Sequence, residues 1–390
     1  MFKHAMIATA LSGLTLLGCA VEQDPMNEPP GQTPPGEIDQ AMLAEYRAAL
    51  PTMGQLQASA PESTAEFTTA AVGDPAFFPS TSYDIVLGIN TAVSGIIDVL
   101  DQVTSLPPTI FNSDTQEFFW GPFPNDDGIG YVAAYIRDAG EEADFRFEYA
   151  LLRGIDNDVA NLTPVIWGGA SPDAENEDHG VGITLWDFEA NRAFEAEHNP
   201  DFDQLVLDRG RFIALYAAGP DEQDPNAEVA FVVAAFRNFV PSDNPNAESA
   251  DLDYLYGRYE GDITLDFVDY ETSFDVDEPG DGLIEDVGVR LAFLNEGTGR
   301  AEVDVRGGSL ADDERGLATE CWNAALRQRF LSIEIFSGDT SIAIDEEGDV
   351  ADCGLFTSSL SELDIPSLDD IDPELRAALD NAAENGIAAE

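Results

Sequence analysis

The densest run of residues that could do chemistry is Asp275-Val-Asp277-Glu278-Pro279-Gly280-Asp281-Gly282-Leu283-Ile284-Glu285-Asp286. Carboxylates at this density are hard oxygen ligands and suit calcium, with Asp277, Asp281 and Glu285 as the ligands. Begun at Asp277, the helix-loop-helix calcium pattern is met by Asp281, Gly282 and Ile284. It is broken by Pro279 at the third position and by Gly288 at the twelfth, where a bidentate glutamate belongs. The flanks read as strands, so a tight hairpin turn competes with an ion site. Glu175-Asn176-Glu177-Asp178-His179 and Asp345-Glu346-Glu347 have the same character. A second candidate is aromatic. Trp120, Trp167 and Trp186, with Phe118, Phe119 and Phe123, suit a pocket for an apolar small molecule, and equally suit a core. His179 and His198 each lie in a polar stretch and read as solvated loop residues. The chain carries no Gly-x-Ser-x-Gly elbow, His-Glu-x-x-His pair or phosphate loop. Calcium aside, no cofactor is implied.

Cysteine supplies two further chemistries. Lys3 gives a positive start, Ala5 to Leu17 is a short apolar run, and Leu16-Leu17-Gly18-Cys19 follows. That order is a secretory signal, too short to span a bilayer, which needs about 20 apolar residues. With a cysteine directly after the small residue, the segment resembles the lipobox of bacterial lipoproteins, Leu16, Gly18 and Cys19 falling on its matching positions. The resemblance implies cleavage before Cys19, a diacylglyceryl group on its thiol, and an exported chain held on a membrane by lipid. Ala20 in place of Asp points to the outer membrane, periplasmic or surface facing. After the leader no stretch reads as approaching transmembrane length. Cys321 and Cys353 remain, an even pair in an oxidising compartment, and read as one disulfide stapling a hairpin folded about Ser337-Gly338-Asp339.

Charge narrows the partners. The 390 residues hold 76 acidic and 17 basic side chains, a net charge of −59. Lys3 is the only lysine and leaves with the leader, which excludes Schiff-base and Ser-Lys mechanisms in the remainder. Such a surface repels phosphate, so nucleic acid is no partner. Carboxylates spread along the whole chain fit adaptation to salty surroundings, where salt screens their repulsion. Hydrolysis by an acid pair stays open in so acidic a chain.

The elements that must position these residues follow from periodicity. Residues 1–18 are the leader, and 19–36 are the lipid-bearing cysteine and a Pro-rich tether. A helix over 37–50 is set by Ile38, Met42, Leu43, Tyr46 and Leu50, and 55–60 suits a short strand. Tyr83 to Val103 is the strongest helix, apolar enough for a core, ended by Pro107-Pro108. From residue 116 the period changes to two. Strands are expected over 117–123, 130–138, 144–153, 163–168, 180–189, 204–217, 227–239, 260–275, 285–295, 300–306, 328–336 and 340–345. A helical turn over 191–198 and a peripheral acidic helix with tail over 359–390 complete the chain. Short connections make neighbouring strands antiparallel.

The expected fold is α+β and mainly β: over residues 37–358, a large curved antiparallel sheet or partly open barrel wrapped around one long apolar helix. This resembles, in architecture alone, the half-barrel carriers of bacterial lipoprotein trafficking. The order of lipobox, Pro-rich tether, apolar helix, Pro-Pro and Trp120-Gly121-Pro122 resembles uncharacterised lipoproteins of myxobacteria-like lineages. The expected role is a lipid-anchored envelope protein, non-enzymatic, binding an apolar ligand. The alternatives are a structural or interaction lipoprotein, a calcium-binding surface protein and a secreted carboxylate hydrolase. An empty concave side would favour the carrier, and one filled by the long helix the interaction protein. Carboxylates clustered in an aromatic cleft would favour the hydrolase.

Overall fold

Alternating residues from Phe111 to Trp322 face one side of a continuous sheet and meet a single set of helices. The computed structural model describes residues 38–61 and 71–386, apart from 126–127, 174–175, 177, 222–223, 243, 247–248 and 275–281, together with the backbone of 32–33. Three helices come first: α1 (Gln40–Arg47), α2 (Met53–Leu56) and α3 (Phe77–Thr104). The strands are β2 (Ile110–Asn112), β3 (Glu117–Pro124), β4 (Tyr131–Asp138), β5 (Phe147–Gly154), β6 (Thr163–Pro172), β7 (Gly180–Asp187), β8 (Arg209–Pro220) and β9 (Glu228–Val240). They continue as β10 (Ala250–Glu260), β11 (Thr264–Phe274), β12 (Glu285–Leu294), β13 (Gly299–Gly307), β14 (Glu314–Trp322), β15 (Gln328–Ser337) and β16 (Thr340–Gly348). A two-residue β1 (Gln32–Thr33) pairs outside β2. Helix α4 (Phe188–His198) interrupts the meander after β7, and α5 (Pro373–Asn385) ends it.

Spatial order equals chain order, every pairing is antiparallel, and among the described residues no pairing joins the two edges, so the sheet is open. It cannot be flat. The N-terminus of α3 bonds to β14, and Leu106, just past its C-terminus, bonds to β3. Eleven strand spacings make about 53 Å across the sheet. The helical stretch that joins the same points is about 44 Å long. The sheet therefore curls around the helix, as expected.

Each face carries its own core. On the concave face Val86, Ile89, Val93, Ile96, Ile97, Leu100 and Val103 of α3 join Leu43 and Tyr46 of α1 and Leu56 of α2 against the sheet. On the outer face, residues 350–371 and α5 lay Phe356, Leu360, Ile365, Leu368, Leu375 and Leu379 over β7–β12. Burial on both faces explains the unbroken apolar runs Phe212–Tyr216 and Phe231–Phe236. It also corrects the expectation of a peripheral C-terminal helix, since Leu375, Leu379 and Ala383 are buried.

Further expectations are corrected. Residues 53–56 form a helical turn, closed by a Thr52–Gln55 capping box, where a strand was expected from 55. Strands β10 and β14 were not anticipated, and residues 204–208 precede β8. Helix α3 begins six residues before Tyr83, and its 28 residues are long and apolar enough to cross a membrane, although the side from Val86 to Val103 lies in the core.

Candidate functional site

The concave side is built from residues that also satisfy one another. Trp120 donates from Nε1 to the Leu106 carbonyl at 2.9 Å, and Trp186 donates to Thr184 Oγ1 at 3.3 Å. Both belong to the concave core with α1–α3. Trp167 faces the opposite side, partly buried between the outer cluster and a small third one. The structure therefore separates the three expected pocket tryptophans. Trp322, absent from that expectation, is buried and donates to the Gly297 carbonyl at 2.8 Å. Tyr46 meets Phe111, Phe118 and Phe147 edge-on, so α1 is keyed into β2, β3 and β5 by aromatic contacts.

Helix α3 is held at its N-terminus by a residue from the far side of the sheet. Its N-cap, Ala76, has no side chain to cap with. Glu320 of β14 takes that role, both carboxylate oxygens accepting from Phe77 N at 3.0 Å and one also from Phe78 N at 3.0 Å. A carboxylate suits a helix N-terminus, but this one has no exposed surface. Burial pushes its pKa up to about 7 against the pull of the two N–H bonds. Asp269 does the same on the outer face. It accepts from Leu368 N at 2.8 Å, holding the 365–371 segment, and burial pushes it up to about 7 although that bond and Arg290 favour the charged form.

The outer face carries a polar cleft of about 750 Å³ over β9–β13. Its floor is set by register. Asp253 lies opposite Glu271, Glu271 opposite Gly288, and Gly288 opposite Asp304, so a residue without a side chain separates two carboxylates. Most of its acids are engaged. Arg376 of α5 bonds to both Asp253 and Glu271, Arg237 pairs with Asp253 at 2.5 Å and with Asp380, and Arg306 pairs with Asp304 at 2.7 Å. Asp286 accepts from Ser273 Oγ at 2.7 Å. Burial alone would lower the Arg376 pKa, but its two carboxylate partners raise it, so the guanidinium stays charged and ties α5 to the sheet. Acids and arginines dominate the lining, beside Leu252, Thr272, Ser273 and Val287, and among the described residues it holds no aromatic side chain.

The expected calcium ligands are placed as follows. Asp277 and Asp281 lie outside the described residues. Glu285 is buried at the start of β12, where its Oε1 accepts from Ser309 N at 3.0 Å and so closes the turn after β13. Asp178 accepts from Thr52 Oγ1 at 3.1 Å, and Asp345, Glu346 and Glu347 are exposed on β16. Among the described residues no three histidine, cysteine or acidic groups converge to hold a metal ion. His179 lies 3.7 Å from Glu228, and the ring of His198 meets Phe194 edge-on. Cys321 and Cys353 form a disulfide with Cα atoms 5.8 Å apart. It ties β14 to the segment after β16, one strand further in than a staple across the β15–β16 hairpin.

Sequence reading missed Glu320, Asp269 and the Asp253–Glu271–Gly288–Asp304 row. Each depends on strand register, and β10 and β14 had not been recognised. The signal was present in the alternation of Asp251, Asp253 and Leu255 against Tyr254 and Tyr256. No protein-family model, curated protein or solved structure matches the chain.

Proposed function

We propose that this chain is an exported envelope protein, anchored by lipid on Cys19, that works as a non-enzymatic scaffold for other proteins. The observation that carries this reading is the continuous core between α1–α3 and the concave sheet face. A carrier of apolar ligands needs that face for its cargo, whereas here seven residues of α3 occupy it. The raised carboxyls Glu320 and Asp269 are each committed to backbone N–H groups of a covering segment, which favours structural roles for them over acid–base chemistry. The lipobox at Leu16–Cys19 supports the anchor, and an open sheet with an unshielded edge supports a partner-binding role.

Two measurements on protein made in its native host test this. Detergent phase partition with mass spectrometry of the N-terminal peptide should find the chain in the detergent phase, with acyl mass on Cys19. Native mass spectrometry should find no stoichiometric lipid in the folded body. An aqueous, unacylated chain would end the anchored reading, and a bound lipid per chain would restore the carrier.

A further inference from the structure

The two edges of the sheet are finished differently. At one end β2 has three residues and β1 two. At the other, β16 is a full strand of nine residues, every one of them exposed. An edge strand offers a row of unpaired N–H and C=O groups, and proteins usually blunt it by shortening, charge or proline. β16 has no proline, Thr340-Ser-Ile-Ala-Ile344 has no charge, and a bulge at Ser341–Ala343 leaves the pairing from Ala343 to Gly348 regular.

Beyond a bulge at Ser341–Ala343, the side chains of β16 alternate in direction from Ala343 to Glu347. Ile344 pairs with Glu334, which pairs with Leu317, which pairs with Asp304, placing Ile344 on the outer face, while Ile342 is the unpaired residue of a bulge opposite Ile335–Phe336. Ile342 and Ile344 are 54% and 57% exposed. Asp345 pairs with Ile333, which pairs with Ala318, placing Asp345 and Glu347 on the concave face. A strand laid against β16 therefore meets Ile344 and then Glu346 on the outer face, and Asp345 and Glu347 on the concave one.

Charge selects the occupant. Residues 333–349 carry Glu334, Asp339, Asp345, Glu346, Glu347 and Asp349 and neither lysine nor arginine. Among the described residues no ion pair reaches any of the six, whereas in the neighbouring cleft Asp253, Glu271 and Asp304 each hold an arginine of the chain. The edge is also pre-set. The Cys321–Cys353 disulfide fixes the exit of β16 against β14, which lowers the ordering cost of pairing.

We propose that β16 is a docking edge that accepts, by strand addition, an extended segment of a partner protein in which apolar residues alternate with arginine or lysine. This rests on the scaffold reading and gives it a partner class. Backbone pairing supplies the affinity, and exposed Ile344 with the Asp345–Glu347 row supplies register and choice.

The test titrates the full chain, in detergent, with a labelled decapeptide alternating arginine and valine, using fluorescence anisotropy. Three controls are the fully N-methylated peptide, an arginine–serine peptide of equal charge, and an aspartate–valine peptide. The arginine–valine peptide should bind at least tenfold more tightly than each control. Ile344→Lys, and separately Asp345→Arg with Glu347→Arg, should each weaken it at least tenfold, with circular dichroism and melting unchanged. Hydrogen exchange should slow at the β16 amides on binding. Equal affinity for the N-methylated or arginine–serine peptide would overturn the proposal, as would protection confined to the cleft over β9–β13, or no binding at all. Self-association lost on Ile344→Lys would also overturn it, naming a second copy as the occupant. Lipid found in the body of a chain that still captures the peptide would sink only the scaffold reading.

Discussion

Glu320 is the place to perturb the clasp on α3. Its side chain is buried without a cationic partner and its pKa rises from 4.5 to about 7, chiefly by burial. The folded chain then holds a proton that the unfolded chain loses between pH 4.5 and pH 7. Where the folded state binds more protons, raising the pH costs stability, here by about 1.4 kcal/mol per pH unit for one group. Across the window this accumulates to about 3 kcal/mol, fully present as a penalty above pH 7 and absent below pH 4.5. Glu117 and Asp269, both pushed up to about 7 by burial, titrate over the same range, so the wild-type slope alone cannot identify Glu320. Glu320→Gln isolates it. Glutamine keeps an acceptor for Phe77 and Phe78 and has nothing to ionise. Any fixed cost of its unpaired amide hydrogens is the same at every pH. The assay is urea unfolding followed by tryptophan fluorescence at constant salt, from pH 4.5 to pH 8.5. The stability of the wild type minus that of the variant should fall by about 3 kcal/mol from the acid end to the alkaline end. A difference that stays flat with pH would refute the buried, desolvated carboxyl.

The other predictions concern ties between elements. Arg153→Met should cost about 3–5 kcal/mol in urea unfolding, because it leaves Glu195 buried without its 2.8 Å partner, and Arg153→Met with Glu195→Leu should recover most of it. A double variant as unstable as the single would contradict the desolvation account. Leu375→Ala should cost about 2–5 kcal/mol as a core truncation, against well under 1 kcal/mol for a loosely attached helix. Reducing Cys321–Cys353, which closes a separation of 32 residues, should cost about 3–4 kcal/mol, and an unchanged unfolding midpoint would show that the bond constrains little in the unfolded chain. The melting temperature should rise as sodium chloride approaches molar levels, since repulsion from a net charge of −59 is what salt screens. A flat or falling trend would remove salt adaptation as the reason for the charge.

The architecture was legible where a local signal matched a global role. Val86, Ile89, Val93, Ile96 and Val103 give a helix period, and a helix so apolar must be enclosed by a sheet wide enough to curl. The disulfide was legible because, with Cys19 read as lipidated, the two remaining cysteines leave one pairing. What was not legible was set by partners distant in sequence. The start of α3 at Phe77 depends on Glu320, 243 residues later, so apolar periodicity alone placed it at Tyr83. Residues 372–385 read as a solvated helix because their apolar side is narrow, Leu375, Leu379 and Ala383, and the surface that covers it is the second face of β8 and β9. The three tryptophans read as one pocket because their depth is visible in sequence, but their side is decided by register, which puts Trp167 opposite Leu185 and away from Trp186.

The scarcity of cations in this chain has a structural consequence that also bears on partners. Apart from Lys3, the cationic side chains are arginines, and several of them sit where a covering element is tied to the sheet. Arg47 bonds to the Leu106 carbonyl beyond α3, and Arg146 pairs with Glu45 of α1. Arg153 pairs with Glu195 of α4 while also donating to Asn191 and to the Ile129 carbonyl. Arg290 and Arg300 donate to carbonyls of Ile365 and Phe356 in the outer segment, and Arg211 reaches the Glu384 carbonyl at the end of α5. A planar guanidinium can serve a carboxylate and a backbone carbonyl at once, which a lysine ammonium does less well at fixed geometry. Cations spent on ties of this kind are withdrawn from the surface. What the surface then offers a partner is carboxylate, and on β16 carboxylate that no arginine of the chain neutralises among the described residues. The carboxylates that the proposed docking edge would offer a partner are those left over after the fold has used its arginines.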